Sequence, residues 1–242
     1  MRLSIIMPVY NEAPTVGEVV RRVLALPLEK ELIVVDDGST DGTAAVLEEC
    51  AGPGVTAIRL ERNRGKGAAI RAGLERASGD HILIQDADLE LSPEEIPRLL
   101  QALDEGHGPV VYGSRFLQGR GQAGRLNYLG NRLLTSFANL LYGRGLTDIS
   151  TAYKLFPRSL VGRLDLRSER FEFCPEITAK LLRLGLAIHE TPVAFTPRSV
   201  RNGKKIRYLR DGLRAGWALL RWRFWKPLAP PCPVPCTPSA PR

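Results

Sequence analysis

Three acidic side chains follow a short apolar run in the first half of the chain. The run is Ile82–Ile84, and the acids are Asp86, Asp88 and Glu90. Alternate residues of an extended segment point the same way, so the three carboxylates are expected to converge at a strand end. They would repel one another unless a cation lay between them, and such oxygen ligands suit Mg²⁺ or Mn²⁺. The alternative is an acidic turn before a helix that begins near Ser92.

Two earlier apolar segments also end in polar clusters. Leu3–Val9 is followed by Tyr10-Asn11-Glu12, and Leu32–Val35 is followed by Asp36-Asp37. Helical patterns separate these segments, which predicts an α/β fold with a doubly wound, mostly parallel sheet flanked by helices. Ligands of such sheets bind beyond the carboxyl ends of the strands. The three polar clusters are therefore predicted to form one site.

Composition and missing motifs exclude several classes of protein. Of the 242 residues 44% are hydrophobic, which is enough for a sizeable core. The net charge of +8 favours an anionic partner. No Gly-x-Gly-x-x-Gly follows the first strand and no Gly-Lys-Ser/Thr loop occurs, so dinucleotide dehydrogenases and P-loop enzymes lack their defining feature. The four cysteines are scattered, which fits a reducing cytosol and argues against a zinc site.

The second half of the chain is richer in basic residues. Gly113-Ser114-Arg115 ends a predicted fifth strand, and a leucine stripe over 126–141 predicts a helix with Arg132 on its flank. Asp148–Phe156 and Ile188–Phe195 are predicted to contain further strands. From Arg198 to Lys226 there are ten basic residues and one acid.

A basic amphipathic helix is predicted from about Ile206 to Lys226. Its apolar stripe would be Ile206, Leu209, Leu213, Trp217, Leu220 and Phe224, with arginines beside it. This pattern is typical of a helix lying in a membrane surface, and the alternative is a helix packed on its own domain. No apolar run approaches the length of about 18 residues that a transmembrane helix needs, and no signal peptide is recognisable. The expected location is cytoplasmic, peripheral on the inner face of the membrane, with a disordered Pro-rich tail over 227–242.

Several motifs, in order and in spacing, resemble the inverting family-two glycosyltransferases of the GT-A fold. The second half resembles one branch, the dolichyl/polyprenyl-phosphate sugar synthases, of the dolichol-phosphate mannose synthase type. Glu90 stands where many relatives carry Gln, and many relatives continue into transmembrane helices. The motifs that carry the resemblance are Pro8-Val9-Tyr10-Asn11-Glu12, Val35-Asp36-Asp37-Gly38-Ser39-Thr40-Asp41-Gly42-Thr43, Asn63-Arg64-Gly65-Lys66-Gly67, Asp86-Ala87-Asp88-Leu89-Glu90, Gly113-Ser114-Arg115, Leu129-Gly130-Asn131-Arg132, Asp148 with Tyr153-Lys154-Leu155-Phe156, Phe171-Glu172-Phe173 and Gly203-Lys204-Lys205-Ile206.

The resemblance implies transfer of a hexose, with inversion, from a nucleotide diphosphate sugar of the GDP-mannose or UDP-glucose type to a polyprenyl or dolichyl monophosphate. It implies a catalytic domain over 1–205, with a nucleotide-sugar half over about 1–115 and an acceptor half over about 113–205. Asp88 and Glu90 would hold a divalent metal, Mg²⁺ or Mn²⁺. The implied catalytic residues are Asp86, Asp88 and Arg115. The implied nucleotide-sugar pocket comprises Pro8, Tyr10, Glu12, Val35, Asp37, Lys66, Asp86, Ala87 and Asp88, and the implied acceptor-phosphate site comprises Arg115, Arg132, Lys204 and Lys205.

The acceptor decides which catalytic groups the reaction needs. A phosphate monoester has a second pKa of about 6 and is already anionic at neutral pH, so it needs positive charge and orientation and little or no general base. A soluble family-two enzyme acting on a polysaccharide or small hydroxyl acceptor is one alternative, and it would need a dedicated carboxylate base. A nucleic-acid-binding protein and a catalytically silent scaffold at the membrane are the others. Without a metal, the convergent acids would repel nucleic-acid phosphates, so no nucleic-acid partner is expected.

Overall fold

The fold is built on one seven-stranded sheet, seen in a computed structural model that describes residues 1–198 and 208–227. The strand order is β3-β2-β1-β4-β6-β5-β7. The strands are β1 (Leu3–Val9), β2 (Lys30–Asp36), β3 (Val55–Arg59), β4 (His81–Ile84), β5 (Val110–Ser114), β6 (Lys154–Pro157) and β7 (Ile188–Pro192). The helices are α1 (Val16–Ala25), α2 (Thr43–Glu49), α3 (Lys66–Leu74), α4 (Ile96–Asp104), α5 (Arg125–Tyr142), the single turn α6 (Val161–Leu164), α7 (Phe173–Arg183) and α8 (Tyr208–Arg223).

The predicted doubly wound, mostly parallel α/β sheet is confirmed. β1 pairs in parallel with β2 and β4, β2 pairs in parallel with β3, and β5 pairs in parallel with β7. β6 alone is antiparallel, and it lies between β4 and β5. This strand was predicted within Asp148–Phe156 but begins only at Lys154, and the residues before it form a loop beside the carboxyl end of β5.

Alternation along the strands divides the core between the two faces of the sheet. On one face Ile5 and Met7 of β1 pack with the valines of α1 and with Leu99 of α4. On the other face Ile6 packs with residues of α3 and α7, including Ile177. The two cores fix the strand ends relative to one another, and every loop considered below leaves the sheet at those ends.

α8 packs on α5 and α7 through a different face from the predicted apolar stripe. Its buried face is Ala215, Ala218, Leu219 and Trp222. The stripe residues Leu213, Trp217 and Phe224 are 69%, 67% and 81% exposed. The helix therefore packs on its own domain, which was the alternative to a helix lying only in a membrane surface. It still exposes the predicted apolar stripe. Ile206, the boundary at residue 205 and the tail beyond 227 lie outside the described residues.

α5 shows the same division into a buried and an exposed face. Asn131, Thr135 and Ala138 are buried. Leu126, Leu129, Leu133 and Leu140 are between 55% and 81% exposed. Because α5 and α8 are in contact, their exposed apolar side chains lie on neighbouring helices. Among the described residues, no helix is long and apolar enough to cross a membrane.

Candidate functional site

A cavity of about 710 Å³ lies at the carboxyl ends of β1, β2, β4 and β5. It continues from these strand ends to α5 and α8, where Leu126, Leu134 and Ala215 form part of its wall. Parallel strands bring their carboxyl ends to one edge, so clusters distant in sequence meet there. Ten residues predicted from the sequence line this cavity: Pro8, Tyr10, Glu12, Asp37, Lys66, Asp86, Ala87, Asp88, Glu90 and Arg115.

Glu12, Asp88 and Glu90 all contact Arg198, the first two through its guanidinium and Glu90 through its backbone N–H. Its Nη2 lies 2.8 Å from Oε2 of Glu12 and 3.3 Å from Oδ2 of Asp88. The backbone N–H of Arg198 donates to Oε1 of Glu90 at 2.9 Å. The guanidinium lies beside Glu12 and Asp88 and supplies part of the positive charge that these acids require.

These residues fit the divalent metal that the motifs imply. Asp88 and Glu90 offer hard oxygen donors beside a buried positive charge, and Mg²⁺ is commonly held by one or two carboxylates together with substrate phosphates. Within residues 1–198 and 208–227, no three His, Cys, Asp or Glu side chains are close enough to hold a metal by themselves. A metal at this place would therefore need oxygens from a bound diphosphate.

Asp86 is separated from the other two acids by its own partner. Its Oδ1 lies 2.5 Å from Nζ of Lys66, at the start of α3. Burial lowers the pKa of Lys66, but the charge of Asp86 and their hydrogen bond outweigh it, so the pKa is raised and the lysine is charged. This ion pair neutralises one of the three acids and fixes the first turn of α3 at the cavity wall.

Asp37 closes the loop that precedes α3. Its two carboxylate oxygens accept the N–H groups of Arg64 and Gly65 at 2.8 and 2.7 Å. Gly65 has a φ of 107°, and a Cβ there would lie 2.6 Å from the carbonyl oxygen of Glu169. Burial raises the pKa of Asp37, although the two backbone hydrogen bonds oppose the shift. A carboxylate held in this way keeps lone pairs for a donor in the cavity.

Arg115 is fixed by a carboxylate from the loop before β6. Oδ2 of Asp148 accepts from Nε of Arg115 at 2.7 Å, and Oδ1 accepts from Nη2 at 2.9 Å. Asn131 of α5 donates to the same Oδ1 at 2.9 Å. Burial raises the pKa of Asp148, but the charge and hydrogen bonds of Arg115 outweigh it and hold the pKa below its usual value. The rings of Phe116 and Phe195 lie 5.1 and 5.2 Å from the guanidinium carbon.

Two predicted site residues, Val35 and Arg132, do not line the cavity, and two more lie outside the described residues. Val35 is fully buried and packs with Ile33 and Ala69 under α3, so only its backbone is left to contact a nucleotide, and that contact stays a prediction. Alternation along β2 places its side chain on the α3 face of the sheet. Arg132 is half-buried on α5 and does not line the cavity. Lys204 and Lys205 lie outside the described residues.

Several residues of the site were not predicted as such. Asp148 and Asn131 stand in motifs that resemble the synthases, but nothing in their local sequence shows that they converge on Arg115. Arg198 was only a weaker candidate for binding the acceptor phosphate, and its contacts with the acids were not predicted. Arg170 and the start of α8, with Arg210 and Asp211, also line the cavity. Their approach depends on tertiary packing, which no periodicity reveals.

The sequence of the chain is similar to those of known proteins. A family model described as Glycosyl transferase family 2 matches residues 4–164. An undecaprenyl-phosphate 4-deoxy-4-formamido-L-arabinose transferase of Pseudomonas fluorescens (strain SBW25) is 35% identical over 198 residues, which cover 79% of this chain and 55% of that protein. The low-salt glycan biosynthesis hexosyltransferase Agl6 of Haloferax volcanii is 32% identical over 204 residues, which cover 81% and 48%. The chain thus spans about half the length of these two relatives.

Solved structures share the fold. A crystal structure of glucosyl-3-phosphoglycerate synthase from Mycobacterium tuberculosis in complex with uridine diphosphate matches with a TM-score of 0.71. The match covers 91% of this chain and 79% of that chain at 24% sequence identity. A second crystal structure of the same enzyme contains Mn²⁺, uridine diphosphate and glucosyl-3-phosphoglycerate, at a TM-score of 0.70 and 23% identity. At these identities the likeness shows the GT-A type of fold.

Proposed function

The chain belongs to glycosyl transferase family 2, and on that premise we propose that it transfers a hexose from a nucleotide diphosphate sugar to a polyprenyl monophosphate, with inversion. The observation that carries the proposal is the lining of the cavity. Asp86, Asp88 and Glu90 line it at the strand ends, and parts of α5 and α8, whose outer faces carry exposed apolar side chains, line it as well. A charged donor and a lipid-linked acceptor would find suitable groups in the same cavity.

The donor end combines groups suited to a nucleotide diphosphate. Tyr10 offers a ring for stacking, and Asp37 is placed to accept hydrogen bonds from a base. Glu12 is suited to accept them from ribose hydroxyls. Lys66 holds Asp86 at the start of α3, and a helix N-terminus favours phosphate oxygens. The base and the sugar are to be identified within the GDP-mannose and UDP-glucose classes.

A divalent metal held by Asp88 and Glu90 would neutralise the negative charge that develops on the departing diphosphate. The rest of the reaction is the task of the chain's own residues. The acceptor phosphate, already anionic, attacks the anomeric carbon on the face opposite the diphosphate, so the configuration at that carbon inverts. Neither Asp88 nor Glu90 is needed as a base, because the attacking phosphate oxygen carries no proton that must be removed.

The acceptor end centres on Arg115. The Nε of Arg115 and one N–H of its Nη2 donate to Asp148, while its Nη1 makes no hydrogen bond among the described residues. The remaining N–H groups can bind a phosphate, and the clamp holds them in one direction. Lys204 and Lys205 stay proposed as further phosphate ligands, and Arg132 stays so only if acceptor binding brings it closer.

The names of the relatives support a lipid phosphate acceptor. One is a transferase that acts on undecaprenyl phosphate, and the other is a hexosyltransferase of glycan biosynthesis. The exposed leucines of α5 and the stripe on α8 would sit at a membrane surface, with their arginines at the level of lipid head groups. This would place the enzyme peripherally on the cytoplasmic face of the membrane.

The test is a transfer assay on purified full-length chain with Mn²⁺ or Mg²⁺, a panel of labelled GDP- and UDP-sugars, and undecaprenyl phosphate in detergent. The expected product is a sugar-phosphate lipid, labile to mild acid. Parallel reactions with 3-phosphoglycerate and with free sugars test the hydroxyl-acceptor alternative. Transfer to a hydroxyl acceptor with none to the lipid phosphate would overturn the proposal.

A further inference from the structure

The segment after β7 runs back to the carboxylates and directs Arg198 into them. Phe195 forms an antiparallel bridge with Leu91, and the N–H of Thr196 donates to the carbonyl oxygen of Glu90 at 3.0 Å. Two residues later, Arg198 donates its own N–H to the side chain of Glu90. The backbone is therefore held along the whole approach, and the arginine side chain has one direction to take.

The guanidinium is paired with two acids at once. Its Nη1 donates to Oε1 of Glu12 at 3.2 Å, and its Nη2 lies 2.8 Å from the other oxygen of that carboxylate. Nη2 also lies 3.3 Å from Oδ2 of Asp88, and Nε donates to the carbonyl oxygen of Asp88 at 3.1 Å. The side chain is only 16% exposed. Both proposed metal ligands, Asp88 and Glu90, are thus engaged by one residue.

We propose that Arg198 is a positioning residue that holds these carboxylates together before the metal binds and competes with the metal for them. The inference rests on the proposed role of Asp88 and Glu90 as metal ligands. A divalent ion binds carboxylate oxygens at about 2 Å, in the space between the acids that the guanidinium now fills. Two cations at that spacing repel strongly, so metal entry requires Arg198 to withdraw from Asp88.

The contacts of Nη2 are of a kind that can be exchanged. This nitrogen is buried, yet it meets Glu12 and Asp88 without the geometry of a hydrogen bond. Charge, rather than directed bonding, holds it there, and a doubly charged ion supplies more charge to the same oxygens. The acids are kept close without metal. The apparent affinity for metal alone equals the intrinsic affinity multiplied by the fraction of molecules in which Arg198 has withdrawn. A bound diphosphate would add further ligands and shift this balance toward the metal.

Metal affinity without nucleotide tests the competition. Mn²⁺ alone is titrated into the full chain, and free Mn²⁺ is followed by electron paramagnetic resonance. We expect Arg198→Ala to bind Mn²⁺ at least ~10-fold more tightly than the parent, which corresponds to about 1.4 kcal/mol of lost competition. Arg198→Lys keeps the charge but not the fork, so its affinity should lie between the two. Arg76→Ala, which removes an exposed arginine beyond the other end of α3, is the charge-matched control and should match the parent.

Displacement itself is read from the Arg198 side chain. In ¹⁵N-labelled protein its Nε–H signal, assigned by its absence in Arg198→Lys, should broaden or move to the solvent-exposed position when Mg²⁺ alone is added. The competition is overturned if Arg198→Ala and the parent bind Mn²⁺ equally, or if the Nε–H signal is unchanged at saturating Mg²⁺. Equal binding by all variants would leave the metal ligands of the proposed function intact. Absence of Mn²⁺ binding in every variant, with and without uridine or guanosine diphosphate, would overturn both.

Discussion

Asp148 holds the guanidinium of Arg115 by two parallel hydrogen bonds, 2.7 Å from Nε and 2.9 Å from Nη2. Both side chains are buried or nearly so, and they come from loops 33 residues apart. A bidentate pair fixes the plane of the guanidinium as well as its position. Thr147 and Asp148 are themselves held by Glu190, which accepts both of their N–H groups at 2.7 and 2.9 Å. The direction in which Arg115 faces the cavity is thus set by its partners.

Arg115→Lys should lower kcat/KM for the lipid phosphate by about 100-fold, because a lysine cannot satisfy Asp148 and a phosphate together. The dissociation constant of the nucleotide sugar, measured by calorimetry, should change by less than about threefold. Arg115→Ala is the poorer probe, since an unpaired buried Asp148 costs about 3 kcal/mol or more of stability. Arg76→Lys, at an exposed position beyond α3 and outside the cavity lining, is the control and should stay within about twofold of the parent. Equal losses in donor binding and acceptor use would remove Arg115 from the acceptor role.

The sequence was sufficient to predict which strand-end clusters meet in the cavity. Strands of a parallel sheet end at one edge, so the clusters after Leu3–Val9, after Leu32–Val35 and after Ile82–Ile84 had to meet there. The motifs themselves mark these clusters. The motif that contains Val35 did not show on which face of the strand its side chain lies, and the structure places that side chain under α3, outside the cavity lining.

The remainder of the cavity could be predicted only in part. Asp148 and Arg198 reach the site through contacts across 33 and 108 residues, and no local pattern records such contacts. α8 was predicted as a helix with an apolar stripe, but its buried face is Ala215, Ala218, Leu219 and Trp222, a different face from that stripe. Packing partners, rather than periodicity, decided which face was covered.

Asp88→Asn should abolish transfer, with a loss of at least about 100-fold in kcat, while leaving the fold intact. The amide removes the negative charge on which a metal at this place would depend. The fold should survive because Asp88 is not part of the buried core of the sheet. Circular dichroism and the melting temperature of the variant serve as the check on folding. Asp41→Asn, at the exposed start of α2, is the control carboxylate and should keep most of the activity. Normal transfer by Asp88→Asn would contradict the metal assignment.

Lys154 makes stability depend on pH in the alkaline range. Its ammonium group is buried and donates to the carbonyl oxygens of Ile149 and Thr151, and burial lowers its pKa from 10.5 to about 8. Between these values the unfolded chain binds more protons than the folded one, so this group makes stability rise with pH. The difference in free energy of unfolding between the parent and Lys154→Met should grow by up to about 3 kcal/mol in favour of the parent between pH 8 and 10.5. Urea unfolding of both proteins across this range measures it, and a constant difference would contradict the shift.

The exposed stripe on α8 should determine binding to membranes. Trp217→Gln with Phe224→Gln removes two large apolar side chains that are 67% and 81% exposed, so the helix packing on α5 and α7 should survive. We expect the fraction that sediments with vesicles of anionic and neutral phospholipid to fall at least about fivefold, because buried apolar area drives interfacial binding. Leu24→Gln, an exposed position on α1, is the control and should sediment like the parent. If the double variant sediments unchanged, Leu129→Gln with Leu133→Gln on α5 tests the neighbouring helix. Undiminished sedimentation in that variant as well would exclude both helices as the membrane contact.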